Sequence, residues 1–503
     1  MLKTNLTIVF YFFTTSILVA QNIGIGNNNP TTKLHITAAA DPLRLEGVQS
    51  ASATDSIVMI SSNGIVKKRN SNSFTGWLLS GNLGNTTNNF IGNIDNVPFI
   101  IKTNNQTSAL IEPDILKRNA AFGNRALFSI TTGTANTIIG YQAATKLTTG
   151  VANTGIGDSA LANIVQGANN VAIGKNTLQN AATATGNVAI GNNALKSTIS
   201  SENIAIGLNA ANNNSTGSNI IAIGAMALAN NTITSTQIAV GNNALGLLNT
   251  SGLENIGIGY NAGTSLTNGS YNVLLGHYTF SSNPNGSNNT IIGHNAAVAN
   301  STANSSNNTL IGYQSALSQT GGSGNTFVGA SVDMSGNTAV SNSAAIGQGV
   351  LITASNQIRI GNTNVISIGG QVGWTTFSDE RIKTNIRQDV PGLIFITQLQ
   401  PVTYNYDVNK MQQIQRGKAL PPLNGQAFES IRYTGFLAQQ VQKVSNAIGY
   451  HFSGIDAPTN DNTLYGIRYA ELVVPLIQSV KELKAIVDAQ QQQIDALKKQ
   501  LLK

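Results

Sequence analysis

Between Phe122 and Gly361 an apolar residue followed by glycine returns fifteen times. The glycines are Gly123, Gly140, Gly157, Gly174, Gly191, Gly207, Gly224, Gly241, Gly259, Gly276, Gly293, Gly312, Gly329, Gly347 and Gly361. Most of the fourteen intervals are 17 residues, and the rest are 14, 16, 18 or 19. A fixed period of this size leaves little choice of fold. Each unit is too small to bury its own apolar residues, so units must stack into a solenoid.

Two columns fix the unit. The residue before the glycine is always Phe, Ile, Val or Leu, and a small residue stands three places after it, from Ala126 through Ala160 and Thr177 to Ser315. A typical unit reads Asn187-Val188-Ala189-Ile190-Gly191-Asn192-Asn193-Ala194-Leu195. Beta-branched residues, asparagine and glycine weigh against helix, and the short alternation predicts a strand that glycine ends with a turn. The isoleucine column is expected to stack inward as an apolar ladder. The fold class is therefore mainly β, a repetitive β-roll or solenoid over residues 119–362. These units resemble the head repeats of trimeric autotransporter adhesins, which carry a similar Asn-x-Ala-Ile-Gly signature. That resemblance implies three chains winding side-by-side β-rolls.

Composition limits the rest. The chain has 503 residues, 10% of them charged and 41% hydrophobic, with 50 glycines, a balance that suits repetitive β-structure. The net charge is +7, yet no block of Lys or Arg dominates, so nucleic acid is not an expected partner. Cysteine is absent, which excludes thiol catalysis and disulfides.

At the N-terminus, Lys3 precedes an apolar run from Leu6 to Ala20, too short for a span and fitting a cleaved signal peptide over residues 1–20. The mature chain is then expected to be exported, with no membrane span left. Residues 21–118 are expected to form a β stalk. Within it, Asn22-Ile23-Gly24-Ile25-Gly26 and Lys33-Leu34-His35-Ile36 resemble the start of exported Bacteroidetes surface proteins.

Beyond Gly361 the period stops. Residues 363–375 read as a connector, and from Trp374 charge, proline and helical patterns enter. Four blocks follow: Phe377-Ser378-Asp379-Glu380-Arg381-Ile382-Lys383, Leu399-Gln400-Pro401-Val402-Thr403-Tyr404, Thr434-Gly435-Phe436-Leu437-Ala438, and Tyr469-Ala470-Glu471-Leu472. In this order they resemble the intramolecular chaperone domain that ends phage endosialidases and tail spikes. The resemblance implies an α+β domain over residues 376–475 that assembles as a homotrimer, helps the preceding fibre fold and cuts itself off. Carried onto this chain, the catalytic pair is Ser378 and Lys383, and the cut falls between Phe377 and Ser378.

The chemistry sets conditions. A serine hydroxyl needs a base, and a lysine serves as one only when burial or neighbouring positive charge favours its neutral form. Arg381 is a candidate for that charge, and Asp379 for orienting or capping the loop. Five residues along a helix or strand leave two side chains apart, so the pair must meet through a loop or across chains. The cross-chain arrangement is the one favoured on sequence grounds. Gly435 and Phe436 are expected to pack.

Residues 476–503 carry apolar side chains at Leu476, Val480, Leu483, Val487, Ile494, Leu497 and Leu501, with Gln490 in the same seam. Steps of 3 and 4 predict a coiled coil, and the alternative is an amphipathic helix folded on its own domain. His277 and His294 should stack one rung apart, but their column also holds Tyr141, Lys175 and Asn192, so neither metal nor cofactor is expected. No paired carboxylates favour a tail-spike glycosidase. Two whole-chain readings follow: a self-releasing trimeric fibre, or a non-cleaving adhesin whose repeats grip a glycan or cell-surface ligand.

Overall fold

The computed structural model of the protein describes residues 90–502, apart from 250, 300–304, 319–320, 336–338 and 417–426, and four short strands nearer the N-terminus. The expected signal segment, residues 1–20, lies outside the described residues. In the unit Met1–Ile91, Ile23–Ile25 pairs in parallel with Leu34–Ile36, and Ser56–Ile60 forms an antiparallel hairpin with Val66–Asn70.

The second unit, Gly92–Lys503, holds the repeats. Fifteen three-residue strands, from Ala120–Phe122 to Ile358–Ile360, pair in parallel and in register. Each rung is one turn of a β-solenoid. At about 4.8 Å per rung the ladder is roughly 70 Å long, so its two ends cannot meet. A hairpin of Phe99–Thr103 and Gln106–Ile111 pairs antiparallel with Ala120–Phe122 and covers the first edge.

Alternation along each strand decides what lies inside. The middle residue points in: Ile138, Ala172, Ala189, Ala205, Leu274 and Phe327 are fully buried. They meet the small residue and the leucine that follow each glycine, such as Ala194 and Leu195. The residue before the glycine therefore points out. Ile139 and Ile346 are 41% and 47% exposed. The expected inward isoleucine column is thus corrected. Glycine must close the turn immediately after the strand, which leaves its predecessor on the same outer face as the strand's first residue.

The glycines themselves behave as expected. At Gly224 φ is +128°, and a Cβ there would lie 2.5 Å from the backbone carbonyl of Gly241. Neither the angle nor the space admits another residue.

A second column is held by hydrogen bonds. Asn119, Asn136, Asn153, Asn170, Asn187, Asn255, Asn272, Asn289 and Asn308 are buried four residues before their glycines. The Asn153 side-chain oxygen accepts from the Asn170 backbone N–H at 3.2 Å and its Nδ2 at 3.0 Å. The Asn153 Nδ2 donates to Asn136 Oδ1 at 3.0 Å and to the Gly167 carbonyl at 2.8 Å. Buried amides are thus satisfied rung by rung.

The carboxyl-terminal domain is small and mixed. Helix α1 (Leu393–Ile396) is followed by Val402–Tyr404, which pairs antiparallel with Tyr433–Gly435. Helices α2 (Val408–Arg416) and α3 (Ala427–Ser430) lie between those strands, and α4 (Ala438–Ala447) follows them. Phe395, Leu399, Val441 and Phe452 form its core. The last helix, α5 (Val473–Leu501), is 29 residues long.

Candidate functional site: the Ser378–Lys383 loop

The loop leaves the solenoid at Gly361 and rejoins packed structure near α1. Between them a single 3₁₀ turn, Glu380–Ile382, folds the chain back. Asp379 caps this turn, its Oδ1 accepting from the Arg381 backbone N–H at 2.9 Å. The turn shortens the path from residue 378 to residue 383, and Lys383 Nζ donates to Ser378 Oγ at 2.7 Å. In the single chain the two side chains meet through the loop, one of the two routes open on sequence grounds.

Arg381 does something other than expected. Its Nη2 lies 2.6 Å from Asp379 Oδ2, and its Nε donates to both carboxylate oxygens. The Arg381 side chain, and then its backbone N–H, hold the Asp379 carboxyl below the usual carboxylate range, while Asp379 holds Arg381 above its own. The positive charge is therefore spent within the turn, and no longer a free one beside Lys383. The loop also supplies no burial, because every residue from Asn364 to Asp389 is exposed. Phe377, on the far side of the scissile bond, is 91% exposed.

Around this loop the domain is packed as the blocks suggest. Gly435 is buried, and a Cβ there would collide with the Tyr469 hydroxyl, which accepts from the Phe436 backbone N–H at 3.0 Å. Leu393 N–H donates to Glu482 Oε2 at 2.7 Å, tying α1 to α5. On α5 only Pro475 and Ser479 are buried. Leu476, Val480, Leu483, Val487, Ile494, Leu497 and Leu501 are all exposed, so the seam faces away from its own domain. Gln490 is exposed in line with them.

In the repeats, His277 and His294 do stand one rung apart, their ring centroids 6.2 Å from each other. Tyr260 and Tyr313 flank them at 6.5 and 5.8 Å, making an exposed ring column that the sequence reading did not assemble. Among the described residues, no group of three or more potential metal ligands gathers anywhere, and no helix is long and apolar enough to cross a membrane.

Residues 378–450 match the family of the chaperone of endosialidase. The match begins at Ser378 itself. No curated protein and no solved structure matches the chain. The protein is thus a β-solenoid, fibre-like chain that carries a carboxyl-terminal intramolecular chaperone domain.

Proposed function

We propose that this protein is an exported trimeric fibre whose carboxyl-terminal domain gathers three copies, aligns them and then cuts itself free between Phe377 and Ser378. The observation that carries the cleavage is the 2.7 Å contact from Lys383 Nζ to Ser378 Oγ, at the first residue of the matched family region. The family is associated with trimeric assembly, and the outward seam of α5 is the surface a three-stranded coiled coil would bury.

The reaction needs no external substrate. Ser378 Oγ attacks the Phe377 carbonyl carbon as its proton passes to the neutral Lys383 amine. The Phe377–Ser378 C–N bond then breaks, and the resulting ammonium protonates the leaving Ser378 nitrogen. Water hydrolyses the ester, giving the Phe377 carboxylate and restoring the hydroxyl. The single chain leaves this pair in solvent, so the burial that favours a neutral lysine has to come with assembly. Such timing would keep the fibre attached to its chaperone until alignment is complete.

Long parallel β-structures form slowly and slip in register when every rung is alike. A domain that associates first removes that ambiguity. The test is expression followed by a denaturing gel and intact-mass analysis. The expected product is a fragment of residues 378–503, which is 126 residues, absent from Ser378→Ala and from Lys383→Ala. A fragment that persists in Ser378→Ala would refute the chemistry.

A second reading rests on the exposed column of Tyr260, His277, His294 and Tyr313. There the repeats would serve as an adhesin for a glycan or cell-surface ligand. Glycan-array binding lost on replacing Tyr260 and Tyr313 by alanine would support it.

A further inference from the structure

The connector between solenoid and chaperone domain is written like a strand but paired with nothing. Ile366, Ile368, Gly370, Val372 and Trp374 alternate with Ser367, Gly369, Gln371, Gly373 and Thr375. That is the period of a half-buried strand. Yet Ile366, Val372 and Trp374 are 73%, 87% and 89% exposed, and among the described residues the backbone of 366–377 makes no hydrogen bond. A row of apolar side chains above a row of free N–H and C=O groups is a surface waiting for a partner.

Its glycines point the same way. A Cβ at Gly369 or Gly373 would meet nothing within 4 Å, and at Gly370 the nearest atom is 3.8 Å away. None of the three has a positive φ. Neither crowding nor turn geometry within the chain asks for glycine here, in contrast with Gly224. Close approach of another backbone does.

Charge and position say whose backbone it is. No Asp, Glu, Lys or Arg occurs between Arg359 and Asp379, so identical arms can meet without like-charge repulsion. The arm also continues an open apolar surface. The outward strand residues Ile346, Ile358 and Ile360 run down to it, and the exposed seam of α5 lies beyond it in the same chain. In parallel copies equal residues stand at equal height, so the apolar face of an arm finds its own complement with no shaped groove required.

We propose that residues 366–377 form an interface segment whose occupant is the same segment of neighbouring copies, packed in parallel with Ile366, Ile368, Val372 and Trp374 facing inward. This rests on the assembly reading above and extends it. The arms would draw Phe377 and Ser378 together between copies, supplying at the scissile bond the burial that one chain lacks.

The absence of cysteine gives a clean test. Ile368→Cys and Ser367→Cys are each made in the full chain carrying Ser378→Ala, which keeps the domain attached. Oligomeric state is read first by light scattering, then each variant is oxidised mildly and run on a non-reducing gel. Inward Ile368→Cys is expected to form covalent dimers at least ~10-fold faster than outward Ser367→Cys, because a disulfide needs Cα atoms within about 7 Å. A multimer in which both positions react alike, or neither reacts, would overturn the arm interface while leaving assembly intact. A monomer would overturn both. As a second measure, Gly370→Val, on the inward row, is expected to lower the oligomeric fraction several-fold while leaving the circular dichroism of the chain unchanged. Unaltered assembly in Gly370→Val would likewise count against the proposal.

Discussion

Replacing Asn153 by alanine should destabilise the solenoid by about 2–6 kcal/mol, and the estimate comes from counting orphaned groups. Asn153 is fully buried and makes four side-chain hydrogen bonds. Two of its partners keep other bonds: Asn136 Oδ1 still accepts from the Asn153 backbone N–H at 3.0 Å, and Asn170 Nδ2 still donates to the Ala184 carbonyl at 2.8 Å. The Gly167 carbonyl and the Asn170 N–H are left with no partner, and each unsatisfied buried group costs roughly 1–3 kcal/mol. A water entering the vacated space would recover part of this and move the loss towards the lower end of the range. The assay is urea unfolding followed by circular dichroism, with hydrogen exchange at the Asn170 amide as the local probe. The chain contains its own control, because Ile220 occupies the same column. There the carbonyl matching that of Gly167, Thr234 O, accepts instead from Asn231 Nδ2 at 3.0 Å, so another amide takes over the role. In the Asn153 rung the place of Asn231 is held by Ile164, which cannot do so. A loss under ~0.5 kcal/mol, with Asn170 exchange unchanged, would show that the amide column contributes nothing beyond what ordinary surface positions do.

Other outcomes follow from the same geometry. Gly224→Ala should cost at least about 1–3 kcal/mol from backbone strain alone and disturb the rung ending at Gly241, seen as faster exchange across those two turns. The hydrogen bonds from Leu393, then from Gln478, hold the Glu482 carboxyl below its ordinary range. Its stabilisation of α1 on α5 is therefore present above the unfolded carboxylate pKa and lost as pH falls through the lower folded value. Acid titration monitored by α1 amide shifts should show that loss, and Glu482→Gln should remove the pH dependence. Mixed assemblies of Ser378→Ala and Lys383→Ala chains should yield no fragment, because the pair meets within one chain; efficient cutting in the mixture would restore the cross-chain arrangement.

The period, the strand and the turn glycine were legible because each obeys a local rule. What could not be read was which column points inward. Ile190 is larger and more apolar than Ala189, so hydrophobicity alone puts isoleucine inside. The place of the turn decides otherwise: glycine closes the strand directly after Ile190 and leaves it on the outer face, while the inner column takes Ala189, Leu274 or Phe327 alike. The amide column was visible as a repeated Asn but not as a network, because its bonds join residues 16 to 19 apart. At the candidate site the residue pair was readable and its path was not. A five-residue offset fits neither helix nor strand, and the capped 3₁₀ turn that closes it depends on Asp379 accepting from the Arg381 N–H. The same cap draws the Arg381 side chain onto Asp379, which is why its charge is not available to Lys383.

Each inner rung of the ladder pairs only with the rung before and the rung after. A unit of about 17 residues can therefore be duplicated or lost without remodelling any other part of the molecule. Each such event changes the reach of the rod by about 5 Å and nothing else. Reach is then a quantity that the gain or loss of single repeats can tune in small steps, while the domain that follows the rod stays as it was.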